Sequence, residues 1–296
     1  MMGHYMQKIE QKTQTRGWVN GFIGMLIFSG SLPATKAAVL GFDPLFLTAA
    51  RATIAGLLSL IMLLLYKEKL PTFKQWVSLT VVSLGVVVGF PLLTAIALQE
   101  ITSAHSLVFL ALLPLSTAIF AVIRGGEKPR PIFWFFSIIG SLLVMGYALS
   151  QGGGSSISAD LLMIASVIVC GLGYAEGATL TKALGGWQVI CWALIVSLPP
   201  MIILSFILMP EELATISLSA WLGLGYVSLF SMLIGFIFWY KGLSQGGIAT
   251  VGQLQLLQPF FGLGLAAVLL HESVNLLMLF VTIGVIFCVA GSRKYA

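Results

Sequence analysis

The stretch Ala97-Leu98-Gln99-Glu100-Ile101-Thr102-Ser103-Ala104 leads through Pro114 to Gly126-Glu127, and the chain then writes a second version of it. That version, Gly242-Leu243-Ser244-Gln245-Gly246-Gly247-Ile248-Ala249, leads through Pro259 to His271-Glu272. At an offset of 145 residues Leu98 meets Leu243, Ala104 meets Ala249, Leu112 meets Leu257, Pro114 meets Pro259 and Glu127 meets Glu272. Thr35-Lys36-Ala37 recurs as Thr181-Lys182-Ala183, one residue out of that register. Weak internal symmetry laid over apolar segments marks transporters whose substrate sites lie between two repeats.

The apolar segments are there. Hydrophobic residues make up 58% of the chain and charged ones 8%, with a mean hydropathy of +1.03. So little charge cannot cover a water-facing surface, which excludes a large soluble protein with buried helices. Crossing a bilayer takes about 20 residues of helix. Ten segments have that character, roughly 18–40, 45–66, 75–98, 102–123, 132–150, 159–181, 187–209, 219–241, 247–270 and 274–291, called spans 1 to 10 below. The expected fold is an all-α integral membrane protein of ten transmembrane helices.

Charge gives the orientation. With the amino terminus inside, Lys8, Lys12 and Arg16 precede span 1, Lys67, Lys69 and Lys74 lie between spans 2 and 3, and Arg124, Lys128 and Arg130 between spans 4 and 5. Lys182, Lys241, Arg293 and Lys294 fall at the remaining cytoplasmic ends. Of 15 basic residues only Lys36 and Arg51 lie near the outer side, whereas Asp43, Glu100, Asp160, Glu211, Glu212 and Glu272 fall outside. This bias predicts both termini in the cytoplasm. It also accounts for the net charge of +5, so no nucleic-acid partner is implied. Five spans per half turn the second half upside down, giving two inverted five-helix repeats at 18–150 and 159–291. The flanks are a cytoplasmic tail at 1–17 and a linker at 151–158 that holds Gly152-Gly153-Gly154-Ser155-Ser156. Span 1 is too long for the apolar core of a signal peptide and is the repeat partner of span 6, so it is kept as a span.

Polar side chains inside spans must find partners or face a cavity. Asn20, Gly24, Ser31 and Thr35 make one small, polar face of span 1. Span 8 offers Ser228, Ser231, Gly235 and Trp239, and span 6 offers Ser166, Cys170, Gly173 and Gly177 beside Tyr174 and Glu176. Span 9 carries Gln255 and Gln258, whose carboxamides need several partners. Plainer roles compete. Gly85-x-x-x-Gly89 and Gly173-x-x-x-Gly177 have the spacing of close helix crossings, and serines bond back to helix carbonyls. Cys170, Cys191 and Cys288 have no metal-type spacing and suit packing.

Glu176 is the one acid clearly inside a span. Desolvation penalises its ionised form, the starting condition for a proton-coupling residue; the alternative is an ion pair with a lysine such as Lys182. Pro114 and Pro259, at equivalent repeat positions, are hinge candidates because proline frees a backbone carbonyl and bends a helix. His4, His105 and His271 form no metal motif. Gly262-Leu263-Gly264 lies inside a span and no Walker sequence exists, so no cofactor, metal or intrinsic ATPase is expected.

The two motif stretches quoted first, together with Asp43-Pro44 and Arg51 at the start of span 2, resemble the drug/metabolite transporter superfamily in its branch with two EamA-type domains. The resemblance covers nearly the whole chain. It implies a bacterial inner-membrane carrier of two inverted repeats that exports amino acids, related metabolites or toxic compounds by alternating access. It also implies a central cavity lined by spans 1, 3, 4, 6, 8 and 9. The chain departs from the pattern at His271, where glycine is usual, and in lacking an arginine in the second repeat equivalent to Arg51.

The resulting expectation is a secondary transporter, not an enzyme, exporting a small amino-acid-like or amphipathic solute from a mid-membrane site. Asn20, Ser31, Ser228, Ser231, Gln255 and Gln258 would offer hydrogen bonds, and Tyr174, Tyr226 and Trp239 aromatic walls. Protons would couple through Glu176. Nucleotide sugars fit less well, because Lys36 and Lys182 are the candidate cavity cations and both lie near span ends. Two alternatives stand beside this: an intramembrane enzyme or flippase acting on lipid-linked substrates, and a non-transporting membrane sensor.

Overall fold

The computed structural model describes residues 2–150, 156–262 and 276–295. Most of the inter-repeat linker, the end of span 9, the start of span 10, and Gly264, His271 and Glu272 lie outside the described residues. Among the described residues the protein is all-helical, without strands. Seven helical stretches are long and apolar enough to cross a bilayer: Gln11–Val39, Pro44–Leu65, Phe73–Glu100, Val108–Gly125, Ile157–Leu184, Gly186–Ile207 and Leu218–Gly246. Pro131–Ser150 and Leu276–Tyr295 form further helices of 20 residues each, and Ile248–Gly252 begins span 9. The tail expected at 1–17 is itself helical, running from Met2 into span 1 without interruption. Its Gln and Lys residues are good helix formers, so helix propagates outward.

Local chemistry sets the helix ends. Asp43 starts span 2 by accepting from the Leu45 and Phe46 amides at 2.8 and 3.3 Å, with Pro44 in the first turn, where no amide is needed. Thr72 and Gln75 form a capping box at the head of span 3. Gly126 ends span 4 in a left-handed turn, φ +68°, which suits a residue without Cβ. That turn presents Glu127 to the next partner. Its carboxylate accepts the Ile248 amide at 2.6 Å and the Ala249 amide at 2.9 Å, so the acid that ends span 4 caps the start of span 9.

Packing pairs the halves. Span 1 packs on span 8, span 3 on span 6, span 2 on span 7, span 4 on span 9 and span 5 on span 10. Small residues make the tightest crossings. A Cβ on Gly85 would fall 2.6 Å from the Val169 carbonyl oxygen, and one on Gly242 would fall 2.5 Å from the Gly21 amide nitrogen. Spans 3 and 6, and spans 1 and 8, therefore touch backbone to backbone, as small-residue interfaces allow. Large apolar side chains face outward instead: Ile61 and Leu64 on span 2, Phe206 and Ile207 on span 7, Phe280 and Phe287 on span 10. That is the arrangement lipid requires.

Among the described residues, five irregular stretches interrupt the spans. Span 1 breaks at Gly30 between Met2–Ser29 and Ser31–Val39. Span 4 breaks between Leu110 and Leu113. Spans 3 and 8 widen into π-helix at Ser83–Gly89 and Val227–Ile234, and span 9 tightens into 3₁₀-helix at Gln253–Leu257. The two π stretches match at nearly the offset that aligns the two motifs. Pro114 lies in the first turn after the span 4 break, and Pro259 lies just beyond the 3₁₀ stretch. Pro199 and Pro200, by contrast, lie inside an unbroken helix.

Gly85→Ala should lower the melting temperature of the purified protein, since its methyl must displace the span 6 backbone; overpacking of this kind costs about 1–3 kcal/mol. Gly225→Ala, on a helix with nothing within 4 Å of the added carbon, should leave it unchanged or raise it. Equal behaviour of the two variants would count against the backbone crossing.

Candidate functional site

The irregular stretches ring one cavity. That cavity is lined by Phe28, Ser31, Leu32 and Thr35 of span 1 and by Val86, Phe90, Pro91 and Thr94 of span 3. Leu110 and Leu113 of span 4, Tyr174 of span 6, Ser231 and Phe236 of span 8, and Gln258 of span 9 complete the wall. These are the six spans the family resemblance implies. One more residue intrudes from the rim: Arg51 of span 2.

Arg51 is 5% exposed. One guanidinium nitrogen, Nη2, donates to the Val227 carbonyl of the π stretch and to Ser231 Oγ, both at 3.3 Å. Ser31 donates to the same Ser231 oxygen at 2.8 Å, so spans 1, 2 and 8 meet in one polar knot. The Nε group of Arg51 has no hydrogen-bond partner among the described residues. Lys36, one of the two lysines expected near the cavity, donates its Nζ instead to the carbonyls of Leu98 and Ile101 at 2.5 and 3.3 Å, at the end of span 3.

The opposite wall is aromatic. Phe28, Tyr174, Phe236, Trp239 and Tyr240 pack edge to face or tilted, with ring centroids 5.0–6.0 Å apart. Gln255 reaches this group from behind, its Nε2 donating to the Tyr174 hydroxyl at 3.2 Å. Gln258 Nε2 donates to the Phe28 carbonyl at 3.2 Å, close to the span 1 break. Gln255 Oε1, the Trp239 indole nitrogen and both polar atoms of the fully buried Gln253 have no partner among the described residues. Orphaned polar atoms are rare in protein interiors, so each of these calls for a physical cause. Span 9 thus turns three glutamines toward the interior, of which the sequence reading picks out two.

Of the residues the sequence picks out, Ser31, Ser231, Tyr174 and Gln258 line the cavity. Gln255 and Trp239 stand directly behind it. Tyr226 lies at its edge and donates to the Ile27 carbonyl at 2.7 Å beside the span 1 break. Ser228 is fully buried and bonds back to the Leu224 carbonyl of its own helix. Asn20 lies elsewhere, donating to Gln245 at 3.1 Å near Arg16 and Lys241. It shares a helix face with Ser31 but lies 11 residues away, about 16 Å along the axis.

Glu176 lies outside the cavity too. It is 6% exposed and pairs with Arg124 of span 4, Oε2 to Nε 2.7 Å, rather than with Lys182. Glu176 also lines a groove together with Thr72, Lys74, Gln75 and Ser78 of span 3 and Thr179 and Ala183 of span 6. Towards the other end of span 6, His105 meets Asp160 at 2.9 Å, so two polar bridges fasten span 4 to span 6. Arg124→Glu should lower stability by roughly 1–2 kcal/mol, less than for a fully enclosed pair because Arg124 is half exposed. Exchange of both residues, Arg124→Glu with Glu176→Arg, should recover part of the loss in thermal melts; no recovery would show that the pair contributes little.

The family model for EamA-like transporters matches residues 15–148 and again 157–293. A Bacillus subtilis protein named uncharacterized transporter YdeK is 63% identical over 282 residues, covering 95% of this chain and 98% of that one. The uncharacterized inner membrane transporter YedA of Escherichia coli K12 is 27% identical over 217 residues, covering 71% and 68%. A protein of known crystal structure superposes with a TM-score of 0.77 at 18% identity, over 95% of this chain and 99% of that one, a likeness of fold alone. With apolar helices that cross a membrane several times and two matches to the family that together span almost its full length, this chain belongs to the EamA-like transporter family.

Proposed function

We propose that the protein is a secondary carrier that exports small amino-acid-like or amphipathic solutes across a bacterial inner membrane by alternating access. Its solute would occupy the cavity between Arg51, Ser31 and Ser231 on one side and Tyr174, Phe236 and Gln258 on the other. The observation that carries this reading is the coincidence of that cavity with all five irregular stretches of the spans. In hydrocarbon, backbone departs from α-helix where it lines a cavity or is buried in protein, and carriers bind their solutes at such interruptions between repeats.

Ten spans arranged as two inverted five-helix repeats, 18–150 and 159–291, account for the packing pattern. Exchanging each span for the one five later turns the contact of spans 1 and 8 into that of spans 6 and 3. It leaves the pairs 2 with 7, 4 with 9 and 5 with 10 unchanged. The matched π stretches and the matched prolines fit the same exchange. Both termini would lie in the cytoplasm, since Lys67, Lys74, Arg124, Lys128 and Arg293 fall at one end of the bundle in this topology. Rocking of the halves would use Pro114 and Pro259 as bends and would require the Arg124–Glu176 bridge to open. That opening is the step at which a proton could enter the cycle.

The test is counterflow in liposomes holding the purified protein, with a panel of labelled amino acids, apolar monocarboxylates and amphipathic cations. Saturable exchange of one class, lost or strongly weakened in Gln258→Ala, is expected. Lipid turnover or scrambling without solute exchange would replace the carrier reading with the lipid-directed one. In the same vesicles Glu176→Gln should abolish any flux driven by a pH gradient; an unchanged pH dependence would remove Glu176 from the mechanism.

A further inference from the structure

The cavity holds a buried charge, Arg51, that has no ion-pair partner among the described residues. Arg51 lies seven residues into a helix that starts at Pro44, which places it about 10 Å along the span. A guanidinium at that depth, shielded from water, is costly unless something of opposite charge meets it. Among the described residues the ion pairs are His105–Asp160 and Arg124–Glu176, and neither includes Arg51. Among the described residues no acid lines the cavity. Ser231 and the Val227 carbonyl hold Nη2, and Nε is left without a partner.

We propose that Arg51 anchors the carboxylate of a solute with a single carboxylate and an apolar side chain in the central cavity. This rests on the carrier reading above and names its substrate class. A guanidinium is a fork whose parallel N–H groups fit the two oxygens of a carboxylate. With Nη2 donating to a serine and a backbone carbonyl, the guanidinium is held in position before the solute arrives, so little ordering remains to oppose binding, and the carboxylate would be met by the remaining N–H groups, Nε among them. The rest of the wall sets the remainder of the ligand. Phe28, Val86, Phe90, Leu113 and Phe236 offer apolar surface, suited to an aliphatic or aromatic side chain. One cation balances one negative charge, since the Lys36 ammonium is engaged by the carbonyls of Leu98 and Ile101. Diphosphates are therefore disfavoured, and organic cations would be repelled by Arg51 across a poorly screening cavity.

The test is equilibrium binding to the purified full-length protein of phenylalanine, leucine and phenylpropionate, against phenylalaninamide, leucinamide and phenethylamine. At least one carboxylate should bind, and its partner lacking the carboxylate should bind about 10–100-fold more weakly, the range expected for loss of a charge-assisted bond. Arg51→Gln should abolish the difference. Arg51→Lys, which keeps the charge without the fork, should bind the carboxylates with intermediate affinity; it decides the matter if Arg51→Gln does not fold. Equal binding of carboxylates and amides, failure of all three carboxylates to bind, or unchanged carboxylate affinity in Arg51→Lys and Arg51→Gln would overturn the proposal. Vesicle flux is measured separately. Exchange of a cation that is indifferent to Arg51 would leave the carrier reading standing and end this one, whereas carboxylate binding without flux would do the reverse.

Discussion

Hydrocarbon offers a peptide bond no hydrogen-bond partner, and each unpaired amide or carbonyl there costs several kcal/mol. That single penalty shapes most of this bundle. It keeps spans 2, 6 and 7 as unbroken helices, including span 7 with its two adjacent prolines. It confines the breaks and the π and 3₁₀ turns to the places where protein or cavity groups can meet the freed backbone. Tyr226 takes the Ile27 carbonyl beside the Gly30 break, Gln258 takes the Phe28 carbonyl, and Arg51 takes the Val227 carbonyl of the span 8 π stretch. The side chains that look like a binding site and those that mend irregular backbone are thus partly the same. A solute that displaced one of them would loosen the backbone at that point.

Lys36, the Arg124–Glu176 pair and Arg51 differ in how each charge is compensated. Lys36 satisfies the last carbonyls of span 3, a favourable place for a cation at the negative end of a helix dipole. Arg124 and Glu176 neutralise each other where Arg124 still reaches solvent, so neither charge suffers full desolvation. Arg51 has dipoles around one nitrogen but no countercharge among the described residues. Its two hydrogen bonds go to neutral acceptors and are long for a charged donor, 3.3 Å each, so no countercharge offsets burial of the ion. The imbalance singles out Arg51.

Much of the helical layout was legible in the sequence, because span length and apolar composition are set by bilayer thickness and leave a strong linear signal. The repeated motif was legible as well, yet its physical meaning appears only in three dimensions: Glu127 and Ala249 belong together because one caps the amide of the other. The site was legible as direction but not as depth. Asn20 and Ser31 share a face of span 1, and periodicity alone cannot separate a residue in the cavity from one near the end of the bundle. Ser228 and Ser231 are one turn apart, and only coordinates tell which of them bonds back to its own helix. Arg51 was hidden for a different reason. A charge near a span end reads as a topology marker, and nothing linear reveals that span 2 leans its second turn toward the centre. Gln253 escaped because it lies outside the i, i+3 pair formed by Gln255 and Gln258, and its burial follows from the packing of the 3₁₀ stretch, not from its spacing in the sequence.

The cap that Glu127 places on span 9 also bears on how the protein is made. Its two acceptor bonds reach amides that follow it by 121 and 122 residues. During synthesis the first half therefore exposes a carboxylate whose partners have not yet been translated. The start of span 9 likewise enters the membrane with bare amides until the first half receives it. The two halves complete each other's helix ends, so neither is finished as a folded unit before the other is present, and assembly is gated by the later of the two.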